Sequence, residues 1–452
     1  MYNLIIILIT LVALYNTFFK SGLYHGIKWM VIAFFLGYRT VTITPGFLLH
    51  PIDIIIVALF LKALTLPRTS QSTYPLWLIL LLPFAIWGLF NGIFNTWNPI
   101  RVWYDFKNFA LIFPLFFIVD RFIKSDESIP PIAYVNILVI ASIALFGVME
   151  YYVPPFRQLL SGFYNVGVEN MADAQGFVRA SFTFWGAITV GHIMITALPL
   201  ISLIPKESKT QQSNTVFVLF SLLINIVAFY IMGNRADWLA LILLSGLFYV
   251  LIFNRKANLS KQAFALFILF IGIGFVLQNL DQAFIDRFIT GVEAITTPKE
   301  GYDPHDSSGY KRQQRLFSAI QTITKKPLGI GWSNSGWVHS DFIQITANIG
   351  WVGGILFFGG YISLAAKSFF LVFNPLLTER EKDITAALTM SHAATGFMLA
   401  VNNNYVLTQT GVPLFFLWAL LHVYVTKLKR ELPYRTTRTY HAQAQRTAAY
   451  IQ

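Results

Sequence analysis

His339 stands in the stretch GWSNSGWVHSDFIQITANIG, after a loop of Gly, Ser and Asn and before an apolar run of helical character. An unperturbed histidine changes charge near pH ~6.5, so general base is its natural role if it does chemistry. Asp341, two residues on, is of a type that orients a ring nitrogen, although i,i+2 does not place the two on one helical face. Upstream, from Ser307 to Ser340, the basic residues are Lys311, Arg312, Arg315, Lys325 and Lys326, and there is no acidic residue. Such a patch suits an anionic ligand. Arg312 and Arg315, three apart, share one helix face. The same pattern also fits a solvated helix face touching lipid headgroups.

Arg235 lies in IMGNRADWLA, in a turn of a few residues between two apolar runs. It is either an arginine snorkelling to headgroups or a ligand for phosphate, which guanidinium binds bidentately while staying charged at any working pH. Arg179 in GFVRASFTFW, Arg101 in NPIRVWYDF and Arg157 fall in loops on the same side as that turn, and those short loops hold no lysine. Other chemistries find no residues to carry them. The chain has 0 cysteines, which excludes thiolate metal sites, disulfides and a Cys nucleophile. Asp303, His305 and Asp306 in YDPHDSSG read as a polar turn, so no metal is expected. Neither a phosphate-binding loop with its Lys nor a GxSxG elbow occurs. His192 and His392 read as histidines that satisfy hydrogen bonds within a helical bundle.

The elements that must position these residues are membrane spans. Of 452 residues, 56% are hydrophobic and 12% charged, about half the ~25% charge of a soluble domain. Mean hydropathy is +0.59. Apolar runs near the ~20 residues needed to cross a bilayer recur from end to end. They begin near Asn3, Lys28, Ile52, Tyr74, Phe106, Ile132, Phe182, Thr215, Ala236, Gln262, Ile349, Thr385 and Val412. The first has no basic residue before it and no small-residue cleavage site after it, so it reads as retained. The fold expected is an all-α, polytopic transmembrane bundle of 12 or 13 spans with one large outer loop containing short helices.

The net charge of +12 is first a topology signal, because most basic residues sit in short loops between apolar runs. Loops carrying Lys20 and Lys28, Arg68, Arg121 and Lys124, Lys206 and Lys209, Arg255 to Lys261, and Arg380 with Lys382 alternate consistently. They share a side with the basic tail, and that side is expected to be cytoplasmic. The organisation is then N-terminal helices over 1–280, a large outer loop over 281–346, C-terminal helices over 347–427 and a basic cytoplasmic tail over 428–452. Within the loop, Arg312 to Thr324 reads as an amphipathic helix with Leu316, Ile320 and Ile323 on one face. Pro327, Gly329 and Gly331 end it. A second helical start near His339 is expected to run on into the next span.

With these strings in order, Ser308 to Gly354 resembles the region shared by the O-antigen ligase and O-antigen polymerase superfamily. The elements are Arg312 opening an amphipathic helix, PLGIG at Pro327–Gly331, the His339-Ser340 pair, and GWVGG at Gly350–Gly354. GNRADW matches that family's arginine between two spans, and RASFTF at Arg179 is similar to a further outer-loop element. The sequence departs from the pattern at Ser340, where asparagine is commoner, at Leu316, where tryptophan is usual, and at the additional Arg315. The resemblance implies a GT-C-like membrane glycosyltransferase needing no metal or other cofactor. Its donor is a glycan on undecaprenyl diphosphate at the outer face of the bacterial inner membrane. The acceptor is lipid A core, another carrier-linked glycan or a protein hydroxyl, and no nucleic acid is involved. On this reading His339 is the base, Arg235 and Arg312 with Arg315 and Arg179 bind the diphosphate, and Asp341 is a candidate for orienting the ring. Two rivals stand beside it: a transporter or flippase of lipid-linked glycans, and a non-catalytic partner in an envelope assembly. The orientation has a direct test in a chain without native cysteine. A cysteine at Ser308 should react with an impermeant maleimide in intact spheroplasts while one at Thr437 does not; the reverse labelling inverts the topology.

Overall fold

A computed structural model describes residues 2–20, 23–34, 41–44, 47–66, 74–96, 98–123, 126–156, 158, 187–204, 211–232, 235–253, 307–336, 338, 340–401 and 408–451. Only the backbone is described at 2–6, 41–44, 47–49, 187–189, 211–214, 235–236, 307–313, 408–410 and 436–451. In chain order the helices are α1 (Tyr2–Phe19), α2 (Leu23–Ala33), α3 (Pro51–Thr65), α4 (Leu76–Asn95), α5 (Pro99–Ala110), α6 (Ile112–Phe122) and α7 (Ile129–Tyr152). They continue as α8 (Ala187–Ala197), α9 (Gln211–Met232), α10 (Arg235–Phe248), α11 (Ser307–Lys325), α12 (Asp341–Val372), α13 (Glu379–Val401) and α14 (Thr408–Ile451). A short antiparallel hairpin, β1 (Val41–Thr44) with β2 (Phe47–Leu49), interrupts the otherwise helical order.

This is a multi-pass membrane protein. Among the described residues 7 helical stretches are long and apolar enough to cross a bilayer, and Ile7–Phe19, Val190–Leu203 and Asp237–Ile252 are shorter apolar helices. Each expected run meets a described helix except the one near Gln262, which lies outside the described residues. Polar signals start the helices where sequence permits. Pro99 opens α5 behind Asn98, whose side chain accepts from the Arg101 N–H at 3.1 Å. At α13 Thr378 and Glu381 cap reciprocally: the Thr378 N–H donates to the Glu381 carboxylate at 2.8 Å, and the Glu381 N–H to Thr378 Oγ1 at 3.3 Å.

The feature that shapes the bundle is a break in α12. Gly350 has φ 84° and ψ 173°, so the helix is interrupted there. The two arms fold against each other. The Phe342 ring lies 4.8 Å from Phe358, 5.8 Å from Phe357 and 5.6 Å from Tyr361, centroid to centroid. Fifteen residues of straight helix would separate Phe342 from Phe357 by ~22 Å, so 341–349 runs back alongside 351–361. Here the expectation of one helix leading from His339 into the next span is corrected: 341–349 is a re-entrant half-helix, and only 351–372 continues as the span. Gly354 makes the close approach possible, since a Cβ there would sit 2.8 Å from Thr346 Cβ.

A helix broken inside an apolar bundle leaves backbone groups that must find other partners. The Pro327–Gly331 turn supplies them. Ile330 N–H donates to the Ala347 carbonyl at 2.9 Å, Gly331 N–H to Asn348 at 3.0 Å, and Trp351 N–H to the Pro327 carbonyl at 2.9 Å. The turn's remaining carbonyls are met by side chains: Leu328 by Trp87 Nε1 at 3.0 Å, Gly329 by Asn91 Nδ2 at 2.9 Å, and Ile330 by Asn334 Nδ2 at 2.8 Å. Trp332 then wedges into α4, its backbone N–H on the Gly88 carbonyl at 3.0 Å and its indole N–H on Ala85 at 2.9 Å. Ala85, Gly88 and Gly92 form the small-residue groove that admits it, as close helix packing in membranes requires.

Among the described residues, two groups of connections are each held together by side-chain and backbone bonds. At one end are the 94–103 connection, the hairpin with His50, and the 327–336 turn, joined through Asn91, Tyr104 and Trp332. At the other, Arg435 of α14 clamps Glu381 with N···O distances of 2.7 and 2.6 Å and also reaches Glu431 at 2.9 Å. The tail continues as helix to Ile451.

The joint predicts unequal costs for glycine replacements. Gly350 and Gly331 hold positive φ, 84° and 87°, and a Cβ would meet backbone within 2.6 Å at Gly350 and 2.7 Å at Gly331. Alanine at either should cost more than the ~1–2 kcal/mol of the left-handed conformation alone. Gly359→Ala, with nothing within 4 Å, should be neutral or stabilising. Thermal unfolding in detergent, followed by size-exclusion chromatography, measures the difference.

Candidate functional site

The described part of the site is built from three elements around the joint. The half-helix 341–349 carries Asp341, Gln344 and Asn348, all buried, at spacings of three and four that align them along one side. Gln344 Oε1 accepts from the Val338 N–H at 3.3 Å, tying the preceding loop to the half-helix. Val338 and Ser340 are buried. Ionisable and amide side chains inside a membrane bundle are costly, and their default reading is functional.

The second element is α5. Its Val102, Phe106 and Phe109 pack toward α4 and Trp332, whose ring lies 4.9 Å from Phe109. Asp105 and Asn108 are buried on the same helix. The buried Asp105 side chain faces Ser333 of the loop, with Arg101 one turn away on the same helix. Ser333 has φ 70° and is the non-glycine residue with positive φ among the described residues. Serine pays a conformational penalty there. On its other side α5 meets the N-terminus of α3: Lys107 Nζ pairs with Asp53 at 2.5 Å, and Tyr104 Oη lies 3.1 Å from His50 Nε2.

The third element is α11, which leads into the turn. Ala319 and Ile323 are buried against α12 and Leu316 is half-buried. Ile320, expected on that inner face, is 43% exposed, and Ala319 is packed in its place. Arg315 is exposed. Arg312 lies in the first half of α11 and Arg235 begins α10, but their side chains are not among those described. His339 and Arg179 lie outside the described residues, as do Asp303, His305 and Asp306. Asp341 is fully buried as the first residue of the half-helix, behind Ser340.

The structure thus joins the PLGIG and GWVGG strings into one device. It also adds Asp105, Ser333, Gln344 and Asn348, which a search for charged outer loops passes over. A signal for two of them existed in DFIQITANIG, where Asp, Gln and Asn recur at helical spacing within an apolar stretch. His392 hydrogen-bonds within the bundle as expected, while the nearest acidic atom to buried His192 is beyond hydrogen-bond distance. His392 Nε2 lies 3.1 Å from the Tyr361 carbonyl, and the Tyr361 hydroxyl donates to the His392 carbonyl. His192 Nε2 is 4.0 Å from Asp237, the acidic residue of GNRADW, against the bare backbone of Gly191. Among the described residues no group of three or more His, Asp or Glu is placed to hold a metal ion. Chemically, the buried carboxylates and amides offer hydrogen bonds to a hydroxyl-rich ligand, and α11 offers cations.

Compared with known proteins, the chain matches no family model and no curated protein sequence.

The juxtaposition of Asp105 and Ser333 has a measurable consequence. Neighbouring side chains couple by ~0.5–3 kcal/mol, so the Asp105→Ala, Ser333→Ala double variant should be less destabilised than the sum of the two single variants. Asp105→Asn, which keeps an acceptor oxygen, should retain most of the stability. Additive losses in thermal unfolding would show that the two side chains act independently.

Proposed function

We propose that this chain is a membrane glycosyltransferase of the O-antigen ligase and polymerase type, in the bacterial inner membrane with its site on the periplasmic side and its C-terminus in the cytoplasm. The observation that carries the reading is the joint between Pro327–Gly331 and Gly350–Gly354, two strings far apart in sequence on which the resemblance rests. Trp351 N–H bonds the Pro327 carbonyl, the turn's Ile330 and Gly331 N–H groups bond the carbonyls just before Gly350, and the chain between the strings, which includes His339, begins and ends in buried residues. A second support is chemical. A basic helix without acidic residues feeds directly into the turn, as an anionic donor requires.

In this mechanism the acceptor hydroxyl oxygen attacks the anomeric carbon of the carrier-linked sugar. The new C–O bond forms as the bond to the diphosphate oxygen breaks, and that electron pair leaves with undecaprenyl diphosphate. His339 takes the hydroxyl proton, and the anomeric configuration inverts. Arg235 and Arg312, with Arg315 and Arg179, neutralise the departing diphosphate; fixed cations aimed at developing charge supply several kcal/mol in such sites. Asp341 orients the base.

The broken helix favours a second reading, transport of a lipid-linked glycan. Transporters commonly place discontinuous helices and polar groups within the bundle, and 341–349 with Asp341, Gln344 and Asn348 has that character. Purified protein given a carrier-linked glycan and one acceptor at a time separates the two. Under the transferase reading His339→Ala loses transfer by roughly 10²–10⁴-fold yet binds donor as before. Arg235→Lys and Arg312→Lys fail to restore what alanine removes, because a point charge lacks the bidentate fork. Wild-type rates in His339→Ala, or donor translocation in vesicles without transfer, would favour the transporter.

A further inference from the structure

The helix α11 has three sides rather than two. Leu316, Ala319 and Ile323 pack against the bundle. Ser318, Gln321 and Lys325 form an exposed polar side. Phe317 and Ile320, 55% and 43% exposed, form an exposed apolar side that ends at Leu328, 67% exposed in the following turn. Large apolar side chains held outward on an otherwise polar helix mark a surface with a partner.

The position of this apolar side identifies the partner. The Leu328 carbonyl accepts from the indole N–H of Trp87. Trp87 belongs to the outward stripe of α4, with Leu80, Phe90 and Phe94. Beside the turn, Trp351 starts the corresponding stripe of α12, with Val352 and Ile355 also exposed. These stripes lie on helices long and apolar enough to cross a bilayer, so they face lipid. Tryptophans with one polar and one apolar edge concentrate where hydrocarbon gives way to headgroups. Leu328 adjoins that surface through its bond to Trp87, and Phe317 and Ile320 are exposed on the helix that leads to it. Arg315, Lys325 and Lys326 are exposed on the same segment, and no acidic residue occurs from Ser307 to Ser340.

We propose that α11 lies in the bilayer interface at the 327–336 end, its Phe317–Ile320–Leu328 side among the upper acyl chains and its basic residues against anionic phospholipid headgroups. An interfacial amphipathic helix gains from buried apolar area and from attraction to anionic lipid together. The inference does not depend on the proposed transfer reaction.

The absence of native cysteine makes the test direct. Single cysteines at Phe317, Ile320 and Leu328, and at Ser318 and Gln321 for comparison, are introduced into the full chain and labelled with bimane. The protein is reconstituted in nanodiscs of phosphatidylcholine and phosphatidylglycerol. Lipids brominated near the top of the acyl chain should quench the first group at least twofold more than the second, and aqueous iodide should do the reverse. Bromine carried on phosphatidylglycerol should quench more than the same amount on phosphatidylcholine, and Lys325→Gln with Lys326→Gln should remove that preference. All these positions are exposed, so the substitutions leave packing intact. Iodide reaching Phe317 and Ile320 as well as Gln321 would overturn the interfacial placement. Equal quenching by the two brominated lipids would overturn the anionic partner.

Discussion

A helix can be broken inside an apolar bundle only if every backbone group freed by the break finds a partner, because lipid and hydrocarbon side chains offer none. Gly350 creates such a break, and the turn from Pro327 to Gly331 closes it with main-chain hydrogen bonds in both directions. The requirement is reciprocal. Without α12 the turn's N–H groups at Ile330 and Gly331 would be unpaired, and without the turn so would the Trp351 N–H. The position of the half-helix, and with it Asp341, Gln344 and Asn348, follows from this joint.

The joint in turn depends on α4. Trp332 is fully buried and reaches α4 backbone with both its main-chain and indole N–H groups. That is possible because Gly88 and Gly92 present bare backbone; Cβ atoms there would meet Trp332 at about 2.9 Å. Aromatic packing extends the anchor through Phe109 and Phe357 to Trp418 on α14, which stacks on Trp77 at 5.1 Å. Turn, half-helix and α14 are thereby linked through one continuous set of aromatic contacts.

The opposite end is held by a different interaction. Arg435 makes a two-pronged bond to Glu381, which also caps α13. A planar fork meeting a carboxylate fixes both position and angle. It thereby sets where the basic tail leaves the bundle. The two ends are thus anchored by unlike chemistry, backbone pairing around glycine at one and a charged clamp at the other.

By itself the sequence determined that the chain crosses a membrane many times, because the length and repetition of apolar runs leave no soluble alternative. The basic residues in alternate loops set an orientation that is an expectation of sequence, while the contact of the 94–103 connection with the glycine turn came from the tertiary structure. The glycines of PLGIG and GWVGG were legible as breakers, yet their mutual pairing was not: hydrogen bonds between residues 17 to 24 apart leave no local periodicity to read. A run such as DFIQITANIGWVGG looks like one continuous helix because each half is helical, and only φ at Gly350 reverses its course. Asp105 and Ser333 were hidden for the same reason, being ordinary polar residues in sequence until α5 and the loop are brought side by side. The outward turn of Phe317 and Ile320 likewise emerged only when Ala319 took the packed position, because which of two adjacent apolar sides faces the protein is decided by the neighbour's shape.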